Sequence, residues 1–300
     1  MTGQEKSSPF RSGYAVLVGR PNVGKSTLMN ALLEEKLAIV TPRPQTTRQK
    51  VLGILNGERF QAVLLDTPGV LTPKYLLQQR MVKSVKKAVQ DADVLVVLTE
   101  AGKSPEHEQP VLDVIRDCGA PKLLAINKID TVKKSELLPA MAAFQALDVF
   151  RAIVPVSALH RDGMDDLIAE LRNVLPVGRP FYPPDMLSSE PERFFAAEIV
   201  REKIFLRFRE EIPYATAVHV ETFREEPGRK PHIEAVITVE RDSQKAILIG
   251  KGGQALKQVG VEARRDIERF LARPVVLKLV VRVRSKWRKS PRLLRQLGYE

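Results

Sequence analysis

Gly19-Arg20-Pro21-Asn22-Val23-Gly24-Lys25-Ser26-Thr27 has the spacing G-x-x-x-x-G-K-[ST], and an apolar run, Tyr14 to Val18, leads directly into it. A buried strand ending in a glycine-rich turn lets successive backbone N–H groups converge on one anion, and a helix starting near Gly24 adds its positive N-terminal end. Phosphate is the ligand such a turn takes. Lys25 is placed to reach the β- and γ-phosphates of a nucleotide, and the Ser26 hydroxyl is a hard oxygen ligand for Mg²⁺.

Three further stretches supply complementary chemistry. Asp66-Thr67-Pro68-Gly69 closes the apolar run Ala62 to Leu65. A carboxylate there can hold the Mg²⁺ shell through water, and the Gly69 N–H can meet a γ-phosphate because no Cβ blocks the approach. Alone, Asp-x-Pro-Gly is an ordinary turn; downstream of the phosphate loop it reads as a second metal arm. Asn127-Lys128-Ile129-Asp130 follows the run Leu123 to Ile126. Asp130 can accept hydrogen bonds from guanine N1–H and the N2 amine while the Lys128 stem packs along the base. Adenine offers neither donor, and charged hydrogen bonds worth roughly 1.5–3 kcal/mol each make discrimination of about two orders of magnitude attainable. Ser157-Ala158-Leu159 places a backbone N–H near the guanine O6. Thr41-Pro42-Arg43-Pro44-Gln45-Thr46-Thr47-Arg48 is a polar stretch that reads either as a simple connector or as a loop folding over the nucleotide. In the second case Thr47 is the first choice for a hydroxyl ligand to Mg²⁺ and Thr46 the second.

These residues need a scaffold, and Tyr14 to Pro176 alternates short apolar runs with amphipathic stretches, as a parallel sheet covered by helices does. Strands are expected at Ala15–Val18, Val51–Leu55, Ala62–Leu65, Val94–Leu98, Leu123–Ile126 and Ile153–Val156. Helices are expected at 25–34, 75–90, 106–117, 135–147 and 164–174. Asn56-Gly57 predicts a hairpin between the second and third strands. Every motif then falls at the carboxyl ends of strands, where open sheets of this kind bind ligands.

At 300 residues with 44% apolar content the chain can bury two ordinary cores. The single cysteine, Cys118, excludes an internal disulfide framework and reads as a small buried hydrophobe in a reducing cytoplasm. No long uncharged apolar run predicts a membrane span, and the polar start lacks a signal-peptide core. The net charge of +12 is uneven. Residues 241–300 hold 16 Lys and Arg against 5 Asp and Glu, whereas residues 181–240 hold 8 against 12. The basic C-terminal part therefore suits a polyanion.

Pro180, Pro183 and Pro184 mark a semi-rigid linker. The expected division is a disordered N-terminus at 1–12, a nucleotide domain at 13–178, the linker at 179–190 and a second domain at 191–300. Beyond the linker come a helix near 192–209, strands near 216–223 and 232–240, an apolar turn at 246–249, Gly250-Lys251-Gly252-Gly253, a helix to Leu271 and a strand at 275–283. His219 and His232 lie in strands without a metal-ligand cluster around them and read as strand-face residues. Arg282 to Lys289 interleaves Trp287 with cations, so that Trp287 either stacks on a base or packs against the domain.

In the first domain the chain resembles the translation-factor-like GTPases, and Pro44-Gln45-Thr46-Thr47-Arg48, Asp66-Thr67-Pro68-Gly69 and Asn127-Lys128-Ile129-Asp130 are similar to the Era family in particular. The order αββααβ with Gly-x-x-Gly between its last two helices resembles a type II KH domain, which clamps single-stranded RNA. The resemblance covers nearly the whole chain. It implies an α/β GTPase domain with a mostly parallel sheet followed by an α+β KH domain, GTP as substrate and Mg²⁺ as cofactor. It implies GTP contacts along residues 19–27, 66–70, Asn127, Lys128, Asp130, Ser157 and Ala158; metal contacts at Ser26, Thr47 and Asp66; and Lys25 and Thr47 as the catalytic candidates. RNA contacts are expected at Gly250, Lys251, Gly252, Gly253, Lys257, Arg284, Lys286 and Arg288. The implied partners are the 3′ region of 16S rRNA and the small ribosomal subunit, bound by a cytoplasmic monomer with peripheral association at the inner membrane. Ras-like GTPases carry a water-orienting glutamine where this chain has Val70, which implies slow intrinsic hydrolysis. A nucleotide-gated RNA-binding module with incidental turnover and a membrane-surface signalling GTPase are the alternatives.

Overall fold

The computed structural model describes residues 9–299. The N-terminal half contains β1 (Arg11–Gly19), α1 (Lys25–Leu33), β2 (Val51–Gly57), β3 (Phe60–Asp66), α2 (Leu76–Gln90), β4 (Val94–Glu100), α3 (Gln109–Ile115), β5 (Lys122–Asn127), α4 (Lys134–Gln145), β6 (Ala152–Pro155) and α5 (Met164–Val174). The strands form one six-stranded sheet in the order β2-β3-β1-β4-β5-β6. Ala15 to Val18 of β1 are completely buried, because β1 lies between parallel neighbours β3 and β4 with both faces covered. On one face Val16, Val18, Leu95, Val97, Leu124 and Ile126 pack against Val85, Val89, Val111 and Ile115. This packing holds the strand ends that carry the motifs.

Two local expectations are corrected. β2 and β3 are antiparallel as expected, but Asn56 and Gly57 are paired residues opposite Gln61 and Phe60. The turn is Glu58-Arg59, with Arg59 at φ 61°; Gly57 is needed where the Phe60 ring lies over its Cα. The expected disorder at 1–12 falls partly on residues 1–8, outside the described residues. Arg11 and Ser12 already belong to β1, fixed by Arg11 N–H to Arg59 O at 3.0 Å and Ser12 N–H to Pro176 O at 3.0 Å.

The proline-rich segment is fastened along the exposed edge of β2 rather than acting as a free spacer. Ile54 N–H donates to Leu187 O at 2.8 Å, Ser188 Oγ donates to Leu52 O at 2.5 Å, and Asn56 Nδ2 donates to Pro184 O at 2.9 Å. The nearly buried Gln61 accepts from Phe181 N–H (2.7 Å) and Tyr182 N–H (3.0 Å) and donates to Tyr182 O (2.8 Å). Prolines have no N–H to extend the sheet, so side-chain amides and a hydroxyl make the attachment together with the one backbone bond at Ile54.

The chain forms two compact units. One comprises residues up to Ala38, Thr47–Thr72 and Val82–Ser189; the other comprises Ile39–Thr46, Pro73–Met81 and everything from Glu190 on. The second unit contains α6 (Glu192–Arg207), α7 (Ile212–Ala215), β7 (Ala217–Arg224), β8 (His232–Val239), α8 (Asp242–Ile249), α9 (Gln254–Phe270), β9 (Val276–Val283) and α10 (Pro291–Gln296). β8 pairs antiparallel with β7 and parallel with β9. Val200 and Ile204 of α6 and Val259, Ala263 and Ile267 of α9 cover Ile233, Ala235 and Ile237 of β8.

The C-terminal segment is more ordered than a basic tail would be. Trp287 is completely buried, donates Nε1–H to Ala215 O at 2.9 Å and stacks on Tyr299 with ring centroids 6.0 Å apart. It shares a small core with Leu77, Met81, Ala217 and Leu294. Of the two readings left open for Trp287, the structure selects packing. α10 has no counterpart in the expected elements although Ser290-Pro291 is a helix-start signal, with Ser290 Oγ accepting from Leu293 N–H at 3.4 Å.

Trp287 is the chain's one tryptophan, so native emission is expected at short wavelength, shifting red as the second unit unfolds. Trp287→Ala should cost about 3–5 kcal/mol, measured as a lowered denaturation midpoint by far-ultraviolet circular dichroism; an unchanged midpoint would contradict this packing.

Candidate functional site

The loop between β1 and α1 is shaped by glycines at points of close approach. Gly24 sits at φ 97° with the Asn127 amide where a Cβ would be, and a Cβ on Gly19 would lie 2.6 Å from Leu98 O. Gly69 comes equally close to the loop from the other side: its Cβ would be 2.6 Å from Pro21 N. Val70 N–H donates to Gly19 O at 3.0 Å and Thr67 Oγ1 donates to Leu17 O at 2.7 Å, which fastens the Asp66–Val70 stretch to β1.

Lys25, at the first position of α1, is only 6% exposed and donates to Gly19 O (3.2 Å) and Arg20 O (3.0 Å). Burial pushes its ammonium down to about 8, opposed by the negative charge of Asp66 and Glu108. The buried Glu108 was not singled out from the sequence; it accepts from Thr99 Oγ1 at 3.1 Å.

Next to Lys25, three oxygens converge. Ser26 Oγ donates to Asp66 Oδ2 at 2.6 Å, Thr47 Oγ1 donates to the same oxygen at 3.0 Å, and the two hydroxyls are 2.9 Å apart. One carboxylate and two hydroxyls are a hard-oxygen set that suits Mg²⁺ when phosphate and water oxygens complete the shell. The neighbouring Thr46 faces elsewhere: its hydroxyl is 2.6 Å from Thr41 Oγ1 and donates to Arg43 O at 2.8 Å. Of the two threonines, Thr47 is the one that lies against Ser26 and Asp66.

At the ends of β5 and β6, the nearly buried Asn127 spans two loops. Its Nδ2 donates to Val23 O at 2.8 Å and its Oδ1 accepts from Ala158 N–H at 3.0 Å. Lys128 sits at φ 65° with its ammonium 3.0 Å from Glu100 Oε2. Asp130 Oδ1 accepts from Ser157 Oγ at 2.5 Å, a bond that holds its carboxyl below the usual range. The Asp130 side chain remains 27% exposed. Val70 lies elsewhere: its side chain is in the hydrophobic core with Val16, Val85 and Leu95.

In the second unit the turn after α8 has three glycines at positive φ: Gly250 at 72°, Gly252 at 59° and Gly253 at 75°. A Cβ on Gly250 would meet Ala255 at 2.7 Å, whereas nothing lies near one on Gly252 or Gly253. Lys251 and Gly252 are exposed at its tip, and Lys257 is exposed on α9. Arg284 and Lys286 are exposed as well. Arg288 is the exception among the expected RNA contacts: its Nη2 donates to Glu240 Oε2 at 2.5 Å and its guanidinium lies 5.0 Å from the centre of the Tyr75 ring. His219 is half-buried on β7, where burial lowers its imidazole, and among the described residues no cluster of His, Cys, Asp and Glu could hold a metal ion.

Comparison with known proteins agrees in both halves. A family model described as a 50S ribosome-binding GTPase matches residues 14–128, and a KH domain model matches residues 211–288. The GTPase Era of Geobacter metallireducens is 47% identical over 294 residues, 97% of this chain and 99% of that protein. The crystal structure of a variant of Aquifex aeolicus Era bound to GDP.AlF4- superposes with TM-score 0.93 at 37% identity, covering 97% of this chain and 99% of that one. Era in complex with MgGDPNP and nucleotides 1506-1542 of 16S ribosomal RNA gives TM-score 0.92 at 38% identity, with the same coverage.

Asn127→Leu removes both bonds of the amide and leaves Val23 O and Ala158 N–H buried without partners, at a cost of about 2–4 kcal/mol. Thermal denaturation should show the loss, and hydrogen exchange should rise at 19–24 and 157–160 together. A rise in only one of these loops would refute the bridge.

Proposed function

The chain belongs to the Era family of GTPases, and we propose on that premise that it is a GTP-hydrolysing switch that binds the 3′ region of 16S rRNA during small-subunit assembly. The observation carrying this reading is the convergence of Ser26, Thr47 and Asp66 beside Lys25, on the same sheet end as a base-reading Asp130. A relative matched over 97% of this chain and bound to 16S rRNA supports the RNA class; the model of 50S ribosome-binding GTPases matches residues 14–128 only.

Residues 19–24 wrap the phosphates with backbone N–H groups, and Lys25 gives its ammonium to the β- and γ-oxygens, exchanging two loop carbonyls for stronger anionic partners. Ser26, Thr47 and Asp66 would hold Mg²⁺, which would supply neutralising charge at the phosphate oxygens. Asp130 receives the guanine N1–H and N2 amine, Lys128 lies along the base, and the Ser157-Ala158 loop, held by Asn127 through the Ala158 N–H, lies beside O6. Thr47 is carried by a loop, and its bonds to Ser26 and Asp66 tie that loop to the site. Val70 has no polar atom in its side chain and points into the core, so the attacking water must be oriented by backbone, by residues 41–48 or by bound RNA.

The protein works as a cytoplasmic monomer on this reading, and its RNA grip is the turn Gly250–Gly253 with Lys257, Arg284 and Lys286. Among the described residues no helix is long and apolar enough to cross a membrane. The membrane-surface alternative loses support from the C-terminal segment itself, because Trp287 is buried and Arg288 is paired with Glu240. Single-turnover hydrolysis measured with and without the 16S fragment tests the switch; a rate indifferent to RNA would leave a binding module with incidental turnover.

Asp130→Asn should move preference from guanosine to xanthosine nucleotides, because an amide donates to the additional xanthine carbonyl. GTP affinity should fall by about two orders of magnitude. An unchanged GTP titration would remove Asp130 from the base-reading role.

Replacing Lys251 and Gly252 together with Asp places two negative charges at the tip of the turn. Binding of the 16S fragment should be abolished while GTP affinity is retained. An intact RNA titration would move the primary RNA site away from Gly250–Gly253.

A further inference from the structure

The second unit holds a basic pocket that shares Lys286 and Arg288 with the expected RNA contacts but includes no residue of the Gly250–Gly253 turn. It has a volume of about 300 Å³ and is lined by Tyr75, Glu240, Arg241, Ser285, Lys286, Arg288 and Lys289. Its one carboxylate, Glu240, is already engaged by Arg288, whose guanidinium also lies over the Tyr75 ring. That leaves Arg241, Lys286 and Lys289, all exposed and without a carboxylate partner among the described residues. Three uncompensated cations around one concavity repel one another unless an anion enters.

The backbone fixes where these three side chains leave the chain. Lys286 is held in the left-handed region at φ 53°, a strained conformation for a lysine. Arg241 is fixed through the nearly buried Gln244, whose Oε1 accepts from Glu240 N–H at 3.0 Å and Arg241 N–H at 3.2 Å. Lys289 donates its N–H to Lys286 O at 2.9 Å, closing the short turn that carries both lysines. Tyr75 adds an aromatic wall oriented by the Arg288 guanidinium. A phosphodiester beside a ribose and base matches this combination: cations for the oxygens and a ring for the nucleoside. An acidic peptide would use the cations and leave the ring without a role.

We infer that this pocket is a second subsite for single-stranded RNA, taking one backbone phosphate between Arg241, Lys286 and Lys289 with the adjoining nucleoside against Tyr75. The inference rests on the RNA-binding reading above and extends it to Tyr75, a residue of Pro73–Met81, the segment that follows Asp66-Thr67-Pro68-Gly69 in the sequence. Arg288 is here a positioning residue for the ring rather than a contact to phosphate.

The test is a fluorescence-anisotropy titration of the full chain, loaded with GDPNP, against nucleotides 1506-1542 of 16S rRNA over a range of salt. Arg241→Gln with Lys289→Gln should weaken binding about tenfold and make the log–log salt slope shallower by about 0.7, one phosphate's worth. Tyr75→Leu should weaken binding about threefold with the slope unchanged, and Tyr75→Phe should restore it. Short-wavelength Trp287 emission checks that each variant is folded. Wild-type affinity and slope in the double variant, with binding still abolished by the Lys251 and Gly252 change, would overturn the subsite alone. Failure of the wild type to bind the RNA would overturn the RNA reading as a whole. Loss of binding to phosphatidylglycerol vesicles with an unaltered RNA curve would overturn the inference and assign the pocket to lipid.

Discussion

The nucleotide site depends on one side-chain amide. Asn127 ends β5 and joins the carbonyl of Val23 to the N–H of Ala158, so the loop after β1 and the loop after β6 form one body. A buried amide with both ends bonded is strongly directional. It also explains Gly24, since the Asn127 amide occupies the space a Cβ would need. Both loops inherit their position from parallel strands buried on both faces, and the sheet's apolar runs thereby become a statement about the distance between phosphate and guanine.

The cluster of Ser26, Thr47 and Asp66 is built differently, because Thr47 is brought to the other two by a loop rather than a strand. The preceding residues, Ile39–Thr46, belong to the second unit, where Val40 N–H donates to Glu202 Oε1 at 3.2 Å and the Arg43 guanidinium donates to Phe208 O. The boundary between units thus falls between two adjacent threonines, one bonded to Thr41 and the other to Asp66.

Much of this was legible because it is local. The phosphate loop and the Gly-x-x-Gly turn are spelled by glycines that backbone geometry demands, and strand and helix positions follow from hydrophobic period. Thr46 and Thr47 could be ranked but not separated, since two identical neighbours differ only in which way a distant partner turns them. Trp287 and Arg288 read as a basic tail because their partners, Ala215, Tyr299, Glu240 and Tyr75, are far away in the sequence. Asn56-Gly57 misled for a comparable reason: Phe60 packs over Gly57 and shifts the turn by two residues. The linker prolines suggested a semi-rigid spacer, but its attachment to the sheet depends on Gln61, Asn56 and Ser188, ordinary polar residues with no signature of their own.

That attachment bears on where the first unit can be cut. β2 is an outer strand of the sheet, and an outer strand with unpaired backbone groups is a template for other chains. Here Leu187 and Ser188 bond to its backbone and Pro184 to its Asn56 side chain, with prolines nearby that cannot propagate pairing. The segment therefore serves as the selvedge of the sheet, finishing an edge that would otherwise unravel into intermolecular pairing. A proteolytic nick or a shortened fragment ending near Gly178 would expose that edge to association, so the smallest well-behaved nucleotide-binding piece extends through Ser189, and the stretch that joins the units belongs by its bonds to the first.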